Sequence, residues 1–295
     1  MQLIPWQYQT HVGFTLQGVR SIPSGKPLLH LLHGNGFCSQ MYWPMLSRLQ
    51  HEFDLFLSDA QGHGLSEHGG SFVGWNQSAT FAQEALQAHL AEYRDVPVYG
   101  VGHSFGGVLT ALLHSEPHSP FAAVLLLDPV LFTPTMLRSM RVLKWIGLYR
   151  HNPLARRAVK RRRHFPDKQA AWDYFHQRGM FRGWHPDALS AYIEHGLTET
   201  AQGMTLRCAP EREAEIFASF PQRLWSSLQR TAKPIQLIYG ENSYPFVRKS
   251  AALFQQKCPQ LQVQQVKGGH CFMQEDPEQS AALVLQWLRQ QSGSN

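Results

Sequence analysis

The chain has 295 residues, 43% of them apolar and 16% charged, which excludes a disordered chain and supplies a sizeable core. Its 27 Lys and Arg against 21 Asp and Glu give a net charge of +6, and no apolar run approaches the ~20 residues that span a bilayer, so an integral helical membrane protein is excluded. The charge excess is local, with Arg156, Arg157, Lys160, Arg161, Arg162 and Arg163 all falling within eight positions, whereas a nucleic-acid-binding protein spreads its basicity over a face or groove.

The N-terminal Met1-Gln2-Leu3-Ile4-Pro5-Trp6-Gln7 has neither a basic start nor an apolar run, so no secretory leader is expected and the location expected is cytoplasmic. Residues 27–33 are a short apolar run that stops at Gly34, the pattern of a buried strand. Apolar residues at helical spacing follow over 41–49, and 54–59 reads as a second strand ending before Gly62. A long helical segment, 76–92, places Ala79, Ala82, Leu86 and Leu90 on one side. A third strand (96–101), a helix (106–113) and a fourth strand (122–127) stopped by Asp128-Pro129 complete the first half. This alternation predicts an α/β fold with a mostly parallel central sheet flanked by helices.

The rhythm breaks over 132–230, which is helix-like, rich in Trp, Arg and His, and has no convincing strand. It resumes with a strand at 235–240, a helix through 251–254, a strand near 261–266 and a last helix over 277–289, leaving 291–295 as a tail expected to fray. The organisation predicted is one core, 1–131 and 231–295, interrupted by a helical cap or lid at 132–230. The cations at 156–163 are expected on a solvated helix, with Arg156, Lys160 and Arg163 on one face and Arg157 and Arg161 on another. An anionic substrate, an acidic partner or a membrane surface are the other readings of that segment, none of them favoured. The four cysteines, Cys38, Cys208, Cys258 and Cys271, form no C-x-x-C pair, so reduced thiols are expected. Among sixteen histidines there is no H-E-x-x-H and no close His/Cys pair, so no metal site is expected.

Gly102-His103-Ser104-Phe105-Gly106 is a G-x-S-x-G run placed directly after an apolar strand and directly before a helical pattern. A serine on such a strand-to-helix turn is strained and exposes its Oγ above the sheet. The glycines let neighbouring backbone pass where a Cβ would clash, and the following helix turns its N-terminus toward the site, favouring developing negative charge.

With these residues the chain resembles the α/β-hydrolase superfamily. Three further segments, in the family's order, carry the resemblance: His33-Gly34-Asn35-Gly36-Phe37, Asp59-Ala60-Gln61-Gly62-His63-Gly64-Leu65-Ser66, and Gly268-Gly269-His270 with the acidic-proline run Glu275-Asp276-Pro277-Glu278 behind it. The resemblance implies Ser104 as nucleophile, His270 as its base and the backbone N–H groups of Asn35 and Phe105 as the oxyanion hole. His33 and His63 are expected to organise loops rather than react. Phe37 and Phe105 are expected beside the substrate pocket, with a minority of the insertion's aromatics.

The acid departs from the family's commonest pattern. The turn after 235–240 reads Gly240-Glu241-Asn242-Ser243, with Ser243 where the resemblance implies an aspartate. Asp128, at the end of the preceding core strand, is favoured because some branches of the family place their acid there. Glu241, two residues early in the usual turn, is the alternative. Asp276 has the charge but follows His270, against the family's order.

The function expected is that of a serine hydrolase cleaving an ester or related acyl bond through an acyl-enzyme, on a small and apolar substrate, with no cofactor. Thioesterase, lactonase, C–C hydrolase and acyltransferase chemistry stay open on the same site, as does a weakly or non-catalytic ligand-binding protein. Nucleic acid is not expected as a partner.

Overall fold

The central apolar runs form the middle of one eight-stranded sheet in a computed structural model that describes residues 2–149 and 152–292. Its first six strands are β1 (Leu3–Gln9), β2 (Thr15–Ser21), β3 (Leu28–Leu32), β4 (Asp54–Ser58), β5 (Val98–His103) and β6 (Phe121–Leu127). Between them lie α1 (Trp43–Leu49), α2 (Trp75–Leu90) and α3 (Phe105–His114). A long excursion then carries α4 (Pro134–Trp145), α5 (Pro153–Val159), β7 (His164–Phe165), α6 (Lys168–Phe175), α7 (Pro186–Gly196), β8 (Leu197–Thr200), β9 (Gly203–Leu206), α8 (Pro210–Phe217) and α9 (Leu224–Leu228). The chain rejoins the sheet with β10 (Ile235–Gly240), α10 (Pro245–Lys257), β11 (Leu261–Val266), α11 (Phe272–Glu275) and α12 (Pro277–Ser292).

The spatial order is β1-β2-β4-β3-β5-β6-β10-β11. Pairing is parallel from β4 through β11, while β2 runs antiparallel to both β1 and β4. Every residue of β3, β4 and β5 is buried, as expected of parallel strands covered on both faces. This is why they read in the sequence as unbroken apolar runs.

The structure differs from the expectation in four places. The hairpin β1–β2 was not predicted; it is an edge pair in which β1 buries only Trp6, so its hydrophobic signal is weak. The excursion is not wholly helical, since β7, β9 and β8 form a small antiparallel sheet of two- to four-residue strands, too short to leave a periodic pattern. The basic run is not one helix: α5 ends at Val159, and Arg161 turns inward. The last helix continues to Ser292, leaving from the expected tail only 293–295, which lie outside the described residues.

The excursion and the sheet share a core. Phe165, Phe175, Phe181, Trp184 and Tyr192 fall in one buried cluster with Phe37, Tyr42 and the sheet residues Leu29, Leu31 and Val101. Most of the aromatics concentrated in 132–230 therefore hold that segment to the sheet.

Candidate active site

Ser104 sits between β5 and α3 with φ 54° and ψ −113°, a conformation that costs of order 1–3 kcal/mol for a residue with a side chain. The flanking glycines make the turn sterically possible. A Cβ on Gly102 would stand 2.4 Å from the Gly106 carbonyl oxygen, and one on Gly106 would stand 2.2 Å from that of Leu32. The Ser104 N–H donates to the Leu127 carbonyl at 3.0 Å and the Gly106 N–H to that of His33 at 3.1 Å. These bonds pin the turn across three neighbouring strands.

The structure brings Ser104, His270 and Asp128 together from positions up to 166 residues apart. Ser104 Oγ lies 2.9 Å from His270 Nε2, and His270 Nδ1 lies 2.8 Å from Asp128 Oδ1. Asp128 is wholly buried and also adopts a positive φ, 45°, directing its side chain back toward β10. Its Oδ2 accepts the Gly240 N–H at 2.8 Å, and its Oδ1 accepts the Ser243 hydroxyl at 2.5 Å. With both oxygens already accepting, the shared proton belongs on His270 Nδ1, which leaves the Nε2 lone pair facing the Ser104 hydroxyl. Glu241 is exposed, and among the described residues its carboxylate accepts only from Asn242 Nδ2, at 3.5 Å. It is not brought to His270. Gly269 N–H donates to Glu275 at 3.0 Å, so the acidic-proline run fastens the loop that carries His270.

The backbone N–H groups of Asn35 and Phe105 take part in no hydrogen bond among the described residues. Two buried histidines shape the loop that holds Asn35. His33 Nε2 accepts the Ala60 N–H at 2.9 Å and its Nδ1 donates to the Gly34 carbonyl. His63 Nε2 accepts the Gly36 N–H at 3.1 Å and its Nδ1 donates to the Gln61 carbonyl. Burial holds both imidazoles below the usual histidine range, keeping each a fixed donor–acceptor pair. Asp59 ties the second loop, accepting from Ser39 and from the Leu65 N–H.

Three contributors escaped the sequence reading. Ser243 was noted only as a missing aspartate, yet it hydrogen-bonds Asp128 from that position. His103, the first variable residue of G-x-S-x-G, joins the two loops. Its Nε2 donates to the His270 carbonyl at 3.0 Å, its Nδ1 accepts from Tyr42 Oη at 2.6 Å, and Tyr42 Oη accepts the Gly34 N–H at 3.0 Å. Burial, with His270 close by, pushes the His103 imidazole well below its ordinary range, which suits this neutral relay of bonds. Nothing in the sequence marks Tyr42 as the third partner.

The aromatic expectations need correction. Phe37 is 2% exposed and stacks on His103, with Trp184 and Tyr192 edge-on beside it. It packs under the insertion and, with Gly36, Met41 and Arg161, lines a gap that leaves no room for a water. The Phe105 ring points into the core against Trp75 and Phe72, so only its backbone reaches the turn. The ring that does flank the site is Tyr244, 4.8 Å from His270 between centroids and 45% exposed. The four thiols are free and buried. Burial, with Asp128 nearby, drives the Cys271 thiol upward, and burial does the same to Cys38, so neither is a nucleophile at neutral pH.

Arg161 of the basic run is drawn inward, beneath the loop that carries Asn35. Its guanidinium pairs with Glu213 at 2.5 Å and donates to Tyr192 Oη at 2.6 Å, and Asn35 Nδ2 donates to the Glu213 carbonyl at 3.1 Å. The ion pair is internal to the insertion, and the Asn35 bond to the Glu213 carbonyl ties the insertion to the loop carrying Asn35.

Comparison with known proteins agrees with this architecture. A family model described as "Alpha/beta hydrolase family" matches residues 31–283. Monoglyceride lipase from Mus musculus is 32% identical over 129 residues, a match that covers 41% of this chain and only 42% of the lipase. A solved E-2-(acetamidomethylene)succinate hydrolase superposes with a TM-score of 0.73 at 22% identity, covering 98% of this chain and all of the other. A peroxisomal alpha-beta-hydrolase from Saccharomyces cerevisiae superposes with a TM-score of 0.77 at 16% identity, covering 98% and 88%. At such identities the superpositions speak for the fold.

Proposed function

The chain belongs to the α/β-hydrolase family, and from that premise we propose that it is a serine hydrolase acting on an ester or related acyl bond. The observation that carries the proposal is the unbroken chain of contacts from Ser104 Oγ to His270 Nε2 at 2.9 Å and from His270 Nδ1 to Asp128 at 2.8 Å, set on a strained turn.

A serine hydroxyl needs a base to take its proton as it attacks. In the proposed reaction Ser104 Oγ attacks the acyl carbon while its proton passes to His270 Nε2. The carbonyl oxygen becomes an oxyanion facing the N–H groups of Asn35 and Phe105. Loss of one such donor typically lowers the rate by about 10²–10³. His270 then gives its proton to the departing alkoxide, leaving an acyl-serine. Water, deprotonated by His270, releases the acid and restores the hydroxyl. Asp128 holds the imidazole in the tautomer that accepts from serine and balances the imidazolium that forms. Residues 132–230 act as the cap over this site, a cytoplasmic location fits four free buried thiols, and the acyl part of the substrate is apolar.

The test is hydrolysis of p-nitrophenyl esters of graded chain length, followed before the steady state. The proposal expects a burst of one nitrophenolate per active chain and no turnover in Ser104→Ala. Turnover that survives Ser104→Ala, or no turnover of any ester by the wild type, contradicts it.

A further inference from the structure

Between Asp128 and Asp167 the chain has no acidic residue and ten Lys and Arg, so this stretch of 38 residues carries +10 while the rest of the protein carries −4. The same stretch holds seven of the twelve large apolar side chains most exposed among the described residues. Val142, Leu143, Trp145, Ile146 and Leu148 run along the end of α4 and the turn after it, and Leu154 and Val159 follow on α5. Trp145 is 87% exposed and the others 39–58%. Of the twelve residues of α4 only Leu137 is buried, with Met140 partly buried against the core, so the last turn of this helix leaves its apolar side chains outside.

Cations are interleaved with these side chains. Arg138, Arg141, Lys144, Arg156, Arg157 and Lys160 make no ion pair among the described residues. The acids of the adjoining α8 are already engaged: Glu211 with Arg163, Glu213 with Arg161 and Glu215 with Arg212. An apolar surface with an exposed tryptophan, set among unpaired cations, matches what an interfacial segment presents to a bilayer with anionic headgroups. A second copy of the chain fits poorly, because a two-fold contact would set these cations against each other with no acid between. Nucleic acid would use the cations but has no use for the apolar side chains.

We propose that the α4–α5 corner is a membrane-docking surface, which seats Trp145, Ile146 and Leu148 among the lipid chains and the flanking Arg and Lys on anionic headgroups. The surface borders the candidate site. Arg157 of α5 is close enough to Tyr244 to oppose the burial that raises its phenol, and the Tyr244 ring lies tilted against that of His270. Docking here would set the site near the interface, but the proposal stands apart from the catalytic reading.

The test is co-sedimentation of the full chain with phosphatidylcholine vesicles, with and without phosphatidylglycerol, at low and high salt. Binding is expected on the anionic vesicles only and is weakened by salt. Trp145→Ser with Ile146→Ser should abolish it, and Arg141→Gln with Lys144→Gln should reduce it about fivefold per charge, roughly 25-fold for the pair. Both pairs lie on exposed positions, so circular dichroism and soluble-ester turnover should be unchanged. Ser104→Ala should bind vesicles like the wild type, which separates this test from that of the hydrolase. The proposal is overturned by absence of binding to anionic vesicles at low salt, or by binding that both paired variants retain. It is also overturned by duplex DNA binding with equal avidity while Trp145→Ser has no effect, or by a dimer in sedimentation velocity that Trp145→Ser dissociates.

Discussion

Replacing Asp128 by asparagine probes the site most finely, because the structure dictates how the new amide must sit. The Gly240 N–H points at Oδ2 from 2.8 Å, while Oδ1 faces both His270 Nδ1 and the Ser243 hydroxyl. If the NH₂ took the Oδ2 position, two donors would meet at that distance in a wholly buried place, so the amide oxygen goes there and the NH₂ faces His270. An NH₂ can only donate. It holds His270 in the tautomer with its proton on Nε2, which meets Ser104 with a hydrogen where a lone pair is needed. The packing is unchanged while the base is lost. Tautomer inversion of this kind costs about 10⁴ in turnover, roughly 5.4 kcal/mol of barrier. The assay is steady-state hydrolysis of a nitrophenyl ester, with circular dichroism to verify the fold. Asp128→Asn within tenfold of the wild type, together with an inactive Glu241→Gln, would refute the reasoning and move the acid to Glu241.

Three further outcomes follow from the same contacts. Ser243→Ala removes one hydrogen bond to Asp128, worth about 1.5–3 kcal/mol when the acceptor is charged; it should lower kcat about tenfold with little change in KM, and an unaltered kcat would show that Gly240 and His270 suffice to hold the carboxylate. Glu213→Gln leaves the largely buried Arg161 without its counter-charge and should lower stability by about 3 kcal/mol in urea unfolding, with a smaller loss when Arg161 is changed to Met as well. Acid should destabilise the fold well above the carboxylate range: burial holds His30 down to about 3 and His114 to about 4, against 6.5 for the free side chain. Between those values the unfolded chain binds protons that the native one refuses, so stability is full above pH 6.5 and falls as pH drops, by ~1.4 kcal/mol per unit for each histidine. Urea midpoints at pH 7 and about pH 5 should differ accordingly, and a flat profile would mean that these imidazoles charge in the native state.

The sheet's centre was legible because strands buried on both faces leave apolar runs, and β3, β4, β5, β6 and β10 each coincide with one to within two residues. The turn at Ser104 was legible because strand, glycine, serine and helix are adjacent in the chain. Features that depend on contacts between distant segments were not. Arg161 looks like its five cationic neighbours, and its partner Glu213 lies 52 residues away. Ser243 reads as a lost acid until β6 and β10 are laid side by side, where its hydroxyl meets the carboxylate of Asp128. Phe37 and Phe105 were expected beside the pocket from their motifs, but the direction of a ring depends on what packs around it, and motif spacing carries no such information. The edge strand β1 buries too little, and the strands of the small sheet are too short, to show a period.

The account's central claim is that Ser104 is an activated nucleophile, and covalent trapping reads this directly. The folded protein is treated with a fluorophosphonate and digested, and the modified residue is located by mass spectrometry. Stoichiometric phosphonylation of Ser104, absent in Ser104→Ala and strongly slowed in a His270→Ala variant, is the predicted result. A protein that stays unlabelled, or one labelled equally well without Ser104, would contradict the account.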